Sequence, residues 1–185
     1  ALAAAGCLKL ADVTKILYFR GKNMQSSTHK LKTAMAAFVG ADINKIKDIS
    51  KRSKSENSIC DIANYNTANQ IVLSGDEVAI DKAINLADNM SIKAFRLDVS
   101  APFHSIYMKE TASALENEFK RYSFSFPKTQ IISNIEAKPF SDKKNIIDSL
   151  VKQTYSTVRW YESIKYMSKM DVNTFYEIGF GNILS

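Results

Sequence analysis

At 185 residues the chain has room for one domain, or for one domain carrying a smaller one inserted into it. Its 45% hydrophobic and 24% charged residues place it in the ordinary soluble globular class, and no apolar run reaches the roughly 18 residues of a membrane span. The net charge of +6 points to an acidic partner without naming one.

Ala1 to Gly6 are small and apolar but lack the basic region and length of a signal peptide, so they read as the middle of a helix, and truncation at the N-terminus is expected. From Ala11 to about Gln25, Val13, Ile16, Leu17 and Met24 recur at helical spacing. Met35 to Val39 is a short apolar run ended by Gly40, the pattern of a buried strand. A helix follows over Asp42 to Ser50, with Asp42 as its N-cap and Ile43, Ile46 and Ile49 on one face. Two strands, Ile59 to Ala63 and Gln70 to Ser74, flank the polar turn Asn64 to Asn69. Gly75-Asp76 opens a helix with Val78, Ile80, Ala83, Ile84 and Ala87 inward, and Lys93 to Val99 is another strand. Strand, helix, strand, strand, helix, strand is the split pattern of a ferredoxin-like βαββαβ unit, here over residues 33–98.

Beyond it, a helix from about His104 to Tyr122 carries Met108, Ala112, Leu115 and Phe119 as its apolar stripe. A strand at Gln130 to Ser133, helices at Asn145 to Gln153 and Tyr161 to Met170, and a strand at Val172 to Ile178 complete the chain, with a turn at Gly179-Phe180-Gly181. Strands alternating with helices argue for an α/β class with a mainly parallel sheet. Cys7 and Cys60 sit among apolar neighbours with no CxxC or Cys/His cluster, so buried reduced thiols are expected, which fits a cytoplasmic protein.

His29 reads as a surface loop residue, which leaves His104, in Val99-Ser100-Ala101-Pro102-Phe103-His104-Ser105, as the histidine of interest. Placed between a strand end and a helix start, it can serve as a general base toward a serine. Taken alone, a helix cap or a half-buried histidine bonded to backbone is the commoner explanation. Arg20 can offer its planar fork to a carboxylate, although most such arginines are simply solvated. Asn64 and Asn66 either cap a turn or bond a ligand, and Gln153 ends a helix.

Together these stretches resemble the malonyl-CoA:acyl-carrier-protein transacylase family of bacterial fatty-acid synthesis. The carriers of the resemblance are Tyr18 to Gln25, Ile62 to Gly75, Val99 to Ser105, Gln153 to Trp160, and Tyr176 to Ser185, in the family's order and spacing. The resemblance implies an α/β-hydrolase-like core, residues 1–32 and 99–185, interrupted by the ferredoxin-like subdomain. It implies ping-pong malonyl transfer through an acyl-serine, from malonyl-CoA to the phosphopantetheine thiol of acyl carrier protein, with no cofactor or metal, in a cytoplasmic monomer that binds neither nucleic acid nor membrane. By position, His104 matches the catalytic histidine and Gln153 the residue whose backbone carbonyl orients it. Arg20 matches the arginine that pairs with the malonyl carboxylate, Phe103 the malonyl-selective residue, and Met24, Asn64, Asn66 and Gln70 positions lining the coenzyme A and acyl cleft. The Gly-His-Ser-X-Gly elbow is not among the 185 residues, the Gly-Pro-Gly turn is Gly179-Phe180-Gly181, and Asn69 and Thr33 stand where glycine is common.

Other readings are the acyltransferase domain of a polyketide or multifunctional synthase, a basic nucleic-acid module, and a non-catalytic paralogue. The strands lack the aromatic pattern that stacks bases, and a scaffold needs neither His104 nor Arg20. The basic cluster Lys45, Lys47, Lys51, Arg52 and Lys54 is a solvated helix face, or a seat for nucleic acid, an acidic carrier protein or the phosphates of coenzyme A.

Overall fold

Met35 to Phe38 are apolar at every position because both faces of their strand are covered. Successive strand side chains point to opposite faces. Ala36 and Phe38 join Ile46, Ile49, Ile71, Leu73 and Ile80 in one core, while Met35 and Ala37 meet Ala63, Val72 and Phe103 on the other side. This computed structural model describes residues 1–26, 32–99 and 101–179. His29, Ser100, the end of the Gly179 turn and the tail through Ser185 lie outside the described residues.

The elements are α1 (Leu10–Ser26), β1 (Thr33–Val39), α2 (Ile43–Ser53), β2 (Cys60–Thr67), β3 (Gln70–Asp76), α3 (Glu77–Asp88), β4 (Lys93–Arg96), a 3-10 turn (Ile106–Met108), α4 (Lys109–Phe119), α5 (Lys143–Gln153) and α6 (Trp160–Lys169). The four strands form one sheet in the order β2-β3-β1-β4, antiparallel at every pairing. Helices α2 and α3 cover one face of it. Each fully buried Phe or Ile there contributes about 1.5–3 kcal/mol. The N-cap read from the sequence forms: the Asp42 carboxylate accepts from Asn44 N–H at 2.8 Å and Lys45 N–H at 3.1 Å, which holds it below the usual carboxylate range.

A second core joins α1, α4 and α5. Ile16, Leu115, Phe119 and Ile146 pack there with Leu8, Cys7 and Phe124. The expected stripe is buried, with Met108 at the end of the 3-10 turn and Ala112, Leu115 and Phe119 on α4. Both cysteines are free and buried, and desolvation pushes the Cys60 thiol up to about 12.

Gly75 on β3 faces Cys60 across the ladder, and a Cβ there would lie 1.9 Å from the carbonyl oxygen of Ile59. Gly75→Ala is therefore expected to destabilise the chain by about 2–3 kcal/mol, since backbone must shift to admit the methyl group. The urea midpoint is the measurement, and an unchanged midpoint would refute the packing argument.

Several expectations are corrected. Asn64 to Asn66 belong to β2 rather than to a turn, because the hairpin pairs down to Thr67 and Gln70. Ala1 to Gly6 form hydrogen-bonded turns rather than a helix, and Val78 faces solvent while Ala79 is buried. Ile131 and Ile132 form no strand beyond an isolated bridge from Ile132 to Pro139. Val172 to Ile178 are exposed and form no strand. Apolar residues make an extended strand only where a neighbour supplies a continuous ladder: Ser133 N–H donates to Lys138 O and Phe140 N–H to Ile131 O in one short bridge, and Val172 to Ile178 have no ladder partner among the described residues. The expected parallel sheet is thus not formed there; the α/β class stands, with an antiparallel sheet.

Candidate active site

His104 lies between β4 and the 3-10 turn, half-buried, with its backbone in the left-handed region at φ +59°. Histidine visits this region more readily than most residues, at a cost of about 1–2 kcal/mol that its surroundings must offset. They do so from several sides. Phe103 packs on the second face of the sheet and against Met24 and Met108. The buried Ser105 hydroxyl donates to Pro102 O at 2.7 Å, and Ile106 N–H donates to Asp61 Oδ2 at 3.2 Å.

The ring is anchored to a helix of the second core. His104 Nδ1 lies 2.8 Å from the carbonyl oxygen of Gln153, the last residue of α5. A carbonyl only accepts, so Nδ1 carries the proton and the lone pair of the neutral ring sits on Nε2. The carbonyl end of a helix is its negative pole, which favours an imidazolium formed during reaction. Burial nevertheless holds the His104 pKa below 6.5; bonds to the Gln153 and Ser156 backbone oppose that shift, and the Arg20 charge adds to it. At neutral pH His104 is an uncharged base.

Arg20 reaches this region from α1, one turn before the buried Met24. It is half-buried, burial lowers its pKa, and no described Asp or Glu forms an ion pair with it. A cavity of about 240 Å³ is lined by Arg20, Gln153, Leu17 and Leu150. A second, of about 380 Å³, opens beside His104 and is lined by Lys54, Asp61, Tyr155 and Thr157. An unpaired, partly desolvated guanidinium beside a neutral imidazole suits an anionic substrate that reacts by acyl or proton transfer.

The segment after α5 seals the site to the sheet. Val158 N–H donates to Ala63 O at 2.8 Å, Tyr65 N–H to Val158 O at 2.9 Å, and Thr157 Oγ1 to Ile62 O at 2.6 Å. This brings Asn64 alongside Val158. Asn66 and Gln70 lie farther toward the hairpin tip, where Gln70 pairs with Val39 and Thr67, and no described side-chain bond joins any of the three to His104. Met24 is packed among Ala101, Met108, Phe103 and Tyr107, beneath the histidine loop. The Gln153 side chain donates to Asn134 Oδ1 at 2.9 Å. The sequence reading missed Asp61, Asp76, Tyr107 and Asn134, whose only signal was an ordinary capping or surface pattern.

Because the Gln153 contact to His104 uses backbone alone, Gln153→Ala is expected to lower turnover only a few-fold, in line with loss of one side-chain hydrogen bond of about 1 kcal/mol. A loss above a hundredfold in steady-state kinetics would mean that the side chain acts directly.

A neutral base fixed by a helix-end carbonyl, with an arginine nearby that has no ion-pair partner among the described residues, is an arrangement compatible with acyl transfer. The chain belongs to the acyl transferase domain family, which matches residues 1–184. Among its relatives, the malonyl CoA-acyl carrier protein transacylases of Bacillus subtilis (strain 168) and Escherichia coli (strain K12) are 36% and 32% identical over the whole chain. The crystal structure of malonyl CoA-acyl carrier protein transacylase from Clostridium perfringens superposes with a TM-score of 0.95 at 33% identity, over 100% of this chain. A type II PKS acyl-carrier protein in complex with its malonyl-transacylase aligns with a TM-score of 0.89 at 28% identity, over 93% of this chain. The chain spans 59% and 60% of the length of the two curated relatives, and 58% and 56% of the two solved chains.

Proposed function

We propose that this chain is the histidine- and arginine-bearing part of a malonyl-CoA:acyl-carrier-protein transacylase. The observation that carries the reading is the 2.8 Å contact of His104 Nδ1 with Gln153 O, which leaves Nε2 as a neutral base. Nε2 takes the proton of a serine as it attacks the malonyl thioester, and coenzyme A leaves as its thiol. In the second half, the same nitrogen takes the proton of the carrier's phosphopantetheine thiol as its sulfur attacks the malonyl ester, and returns that proton to the serine oxygen as the ester C–O bond breaks. Arg20 receives the malonyl carboxylate bidentately and Phe103 narrows the space beside it. Asn64, with Met24, Asn66 and Gln70, belongs to the cleft wall. The exposed basic side of α2, with Lys45, Lys47 and Lys51, offers charge to an acidic carrier protein.

In this reading residues 33–98 are a ferredoxin-like unit, supported by the element order and the β2-β3-β1-β4 sheet, set between residues 1–32 and 99–185 of a hydrolase-like core. The reaction needs no cofactor beyond its two substrates. No helix of the described residues is long and apolar enough to cross a membrane, and the cytoplasm, where malonyl-CoA is used, is the proposed location. The nucleophile is proposed to lie in the part of the relatives' length that these residues do not span. The test is the intact mass of the protein purified from its own gene, before and after incubation with malonyl-CoA. A malonyl adduct that holo-carrier protein removes supports the reading. A protein that contains a serine elbow and takes no adduct overturns it.

A further inference from the structure

The loop that carries His104 is held by carboxylates to which the transfer reaction assigns no part. Asp76 occupies the N-cap position of α3, where an aspartate ordinarily accepts from the helix's first free N–H groups and contributes about 1 kcal/mol. Its backbone is extended, as a cap requires, yet its side chain makes no cap bond. Instead, Oδ2 accepts from Ile59 N–H at 2.6 Å, and both carboxylate oxygens lie 2.8 Å from the Tyr107 hydroxyl.

Asp61 on β2 grips the preceding residue. One oxygen accepts from Ile106 N–H at 3.2 Å while the other pairs with Lys54 at 2.8 Å. The Tyr107 ring is half-buried against the cluster of Met24, Ala101 and Met108. Burial, and then the bond to Asp76, push its hydroxyl up to about 12, so it remains a donor throughout the working pH range. His104, three residues earlier, sits at φ +59°, a conformation that relaxes toward ordinary values once its neighbours let go.

We infer that Asp76 and Tyr107 form a positioning pair for His104, tying the end of β3 to the histidine loop so that Nδ1 stays within reach of the Gln153 carbonyl. The diverted cap is the central point. A carboxylate that gives up its own helix to hold a tyrosine does work that helix stability does not explain. The inference rests on the proposed role of His104 as base, but its test does not need turnover.

Nitrogen-15 NMR of the protein purified from its own gene follows the His104 ring, with the signals lost in His104→Gln making the assignment. The unaltered protein is expected to show one tautomer, protonated at Nδ1, titrating below 6.5. Tyr107→Phe deletes one oxygen and keeps the ring. It is expected to mix the tautomers and raise the midpoint by roughly half a unit, as water reaches the loosened imidazole. Asp76→Asn keeps an acceptor for the hydroxyl and is expected to preserve most of the original tautomer. Asp76→Ala is expected to repeat the Tyr107→Phe change.

An unchanged tautomer and midpoint in Tyr107→Phe overturn the inference. So does a change confined to Asp76→Ala, which would trace it to the Ile59 bond. Collapse of far-UV dichroism in Tyr107→Phe also overturns it, since the pair would then be a determinant of the fold rather than of the histidine. If these NMR results hold while the malonyl adduct fails to form, the proposed function fails and the positioning role stands.

Discussion

His104→Ala, made in the protein that carries the serine elbow, is expected to lower malonyl transfer by about 100- to 10,000-fold, the usual contribution of a positioned general base. The loss should fall on kcat, because the imidazole moves a proton and holds no part of the malonyl group. Tightly bound malonyl-CoA with no adduct forming is the expected signature in stopped-flow and mass measurements. Turnover within threefold of the original would remove His104 from the reaction. The pH profile carries a linked expectation. Burial lowers the folded pKa of His104 below its ordinary 6.5, so the base is neutral and active above that value. The acid limb of kcat/KM should therefore lie below 6.5. Stability follows the same sign: between the lowered folded value and 6.5 the unfolded chain binds the proton more readily. The contribution is complete above the unfolded pKa and is lost as pH falls through that window.

Arg20→Ala is expected to lower kcat/KM for malonyl-CoA by roughly 30- to several-thousand-fold, the equivalent of about 2–5 kcal/mol for truncating one partner of a desolvated charge pair. Selectivity should fall with it, because acetyl groups no longer leave a partly desolvated guanidinium unpaired. Competition between malonyl-CoA and acetyl-CoA in one reaction reads this directly, and an unchanged product ratio would place the carboxylate elsewhere. A second consequence is electrostatic. Arg20 helps to lower the His104 pKa, so its removal should move the acid limb upward toward 6.5. Arg20→Lys keeps the charge but not the fork, and separates the effects: the acid limb should stay in place while malonyl selectivity still declines.

Much of the molecule was legible from residue order. Helix periodicity located α1, α2 and α5 within three residues, while the helix expected from His104 begins only at Lys109, after a loop and a 3-10 turn; the apolar run at Met35 announced a buried strand. The strand expectations at Gln130 and Val172 failed for a physical reason. A local apolar pattern marks which residues seek burial, but an extended strand exists only when a neighbouring backbone completes a continuous ladder of hydrogen bonds. The same limit applied to Asn64 to Asn66, where polar residues suggested a turn and cross-strand pairing drew them into β2.

The site divides along the same line. His104 and Arg20 were identifiable from the motifs around them, because those motifs are local and contiguous. Sequence by itself determined the residue types, the helix faces and the family resemblance, since each depends on near neighbours along the chain. Only the tertiary structure decided that the Gln153 carbonyl meets an imidazole 49 positions away, that Arg20 lies close enough to depress its pKa, and that Asp76 leaves its helix to hold Tyr107. Those contacts depend on how α5, α1 and the sheet pack together, and packing of distant segments is what a local pattern does not encode.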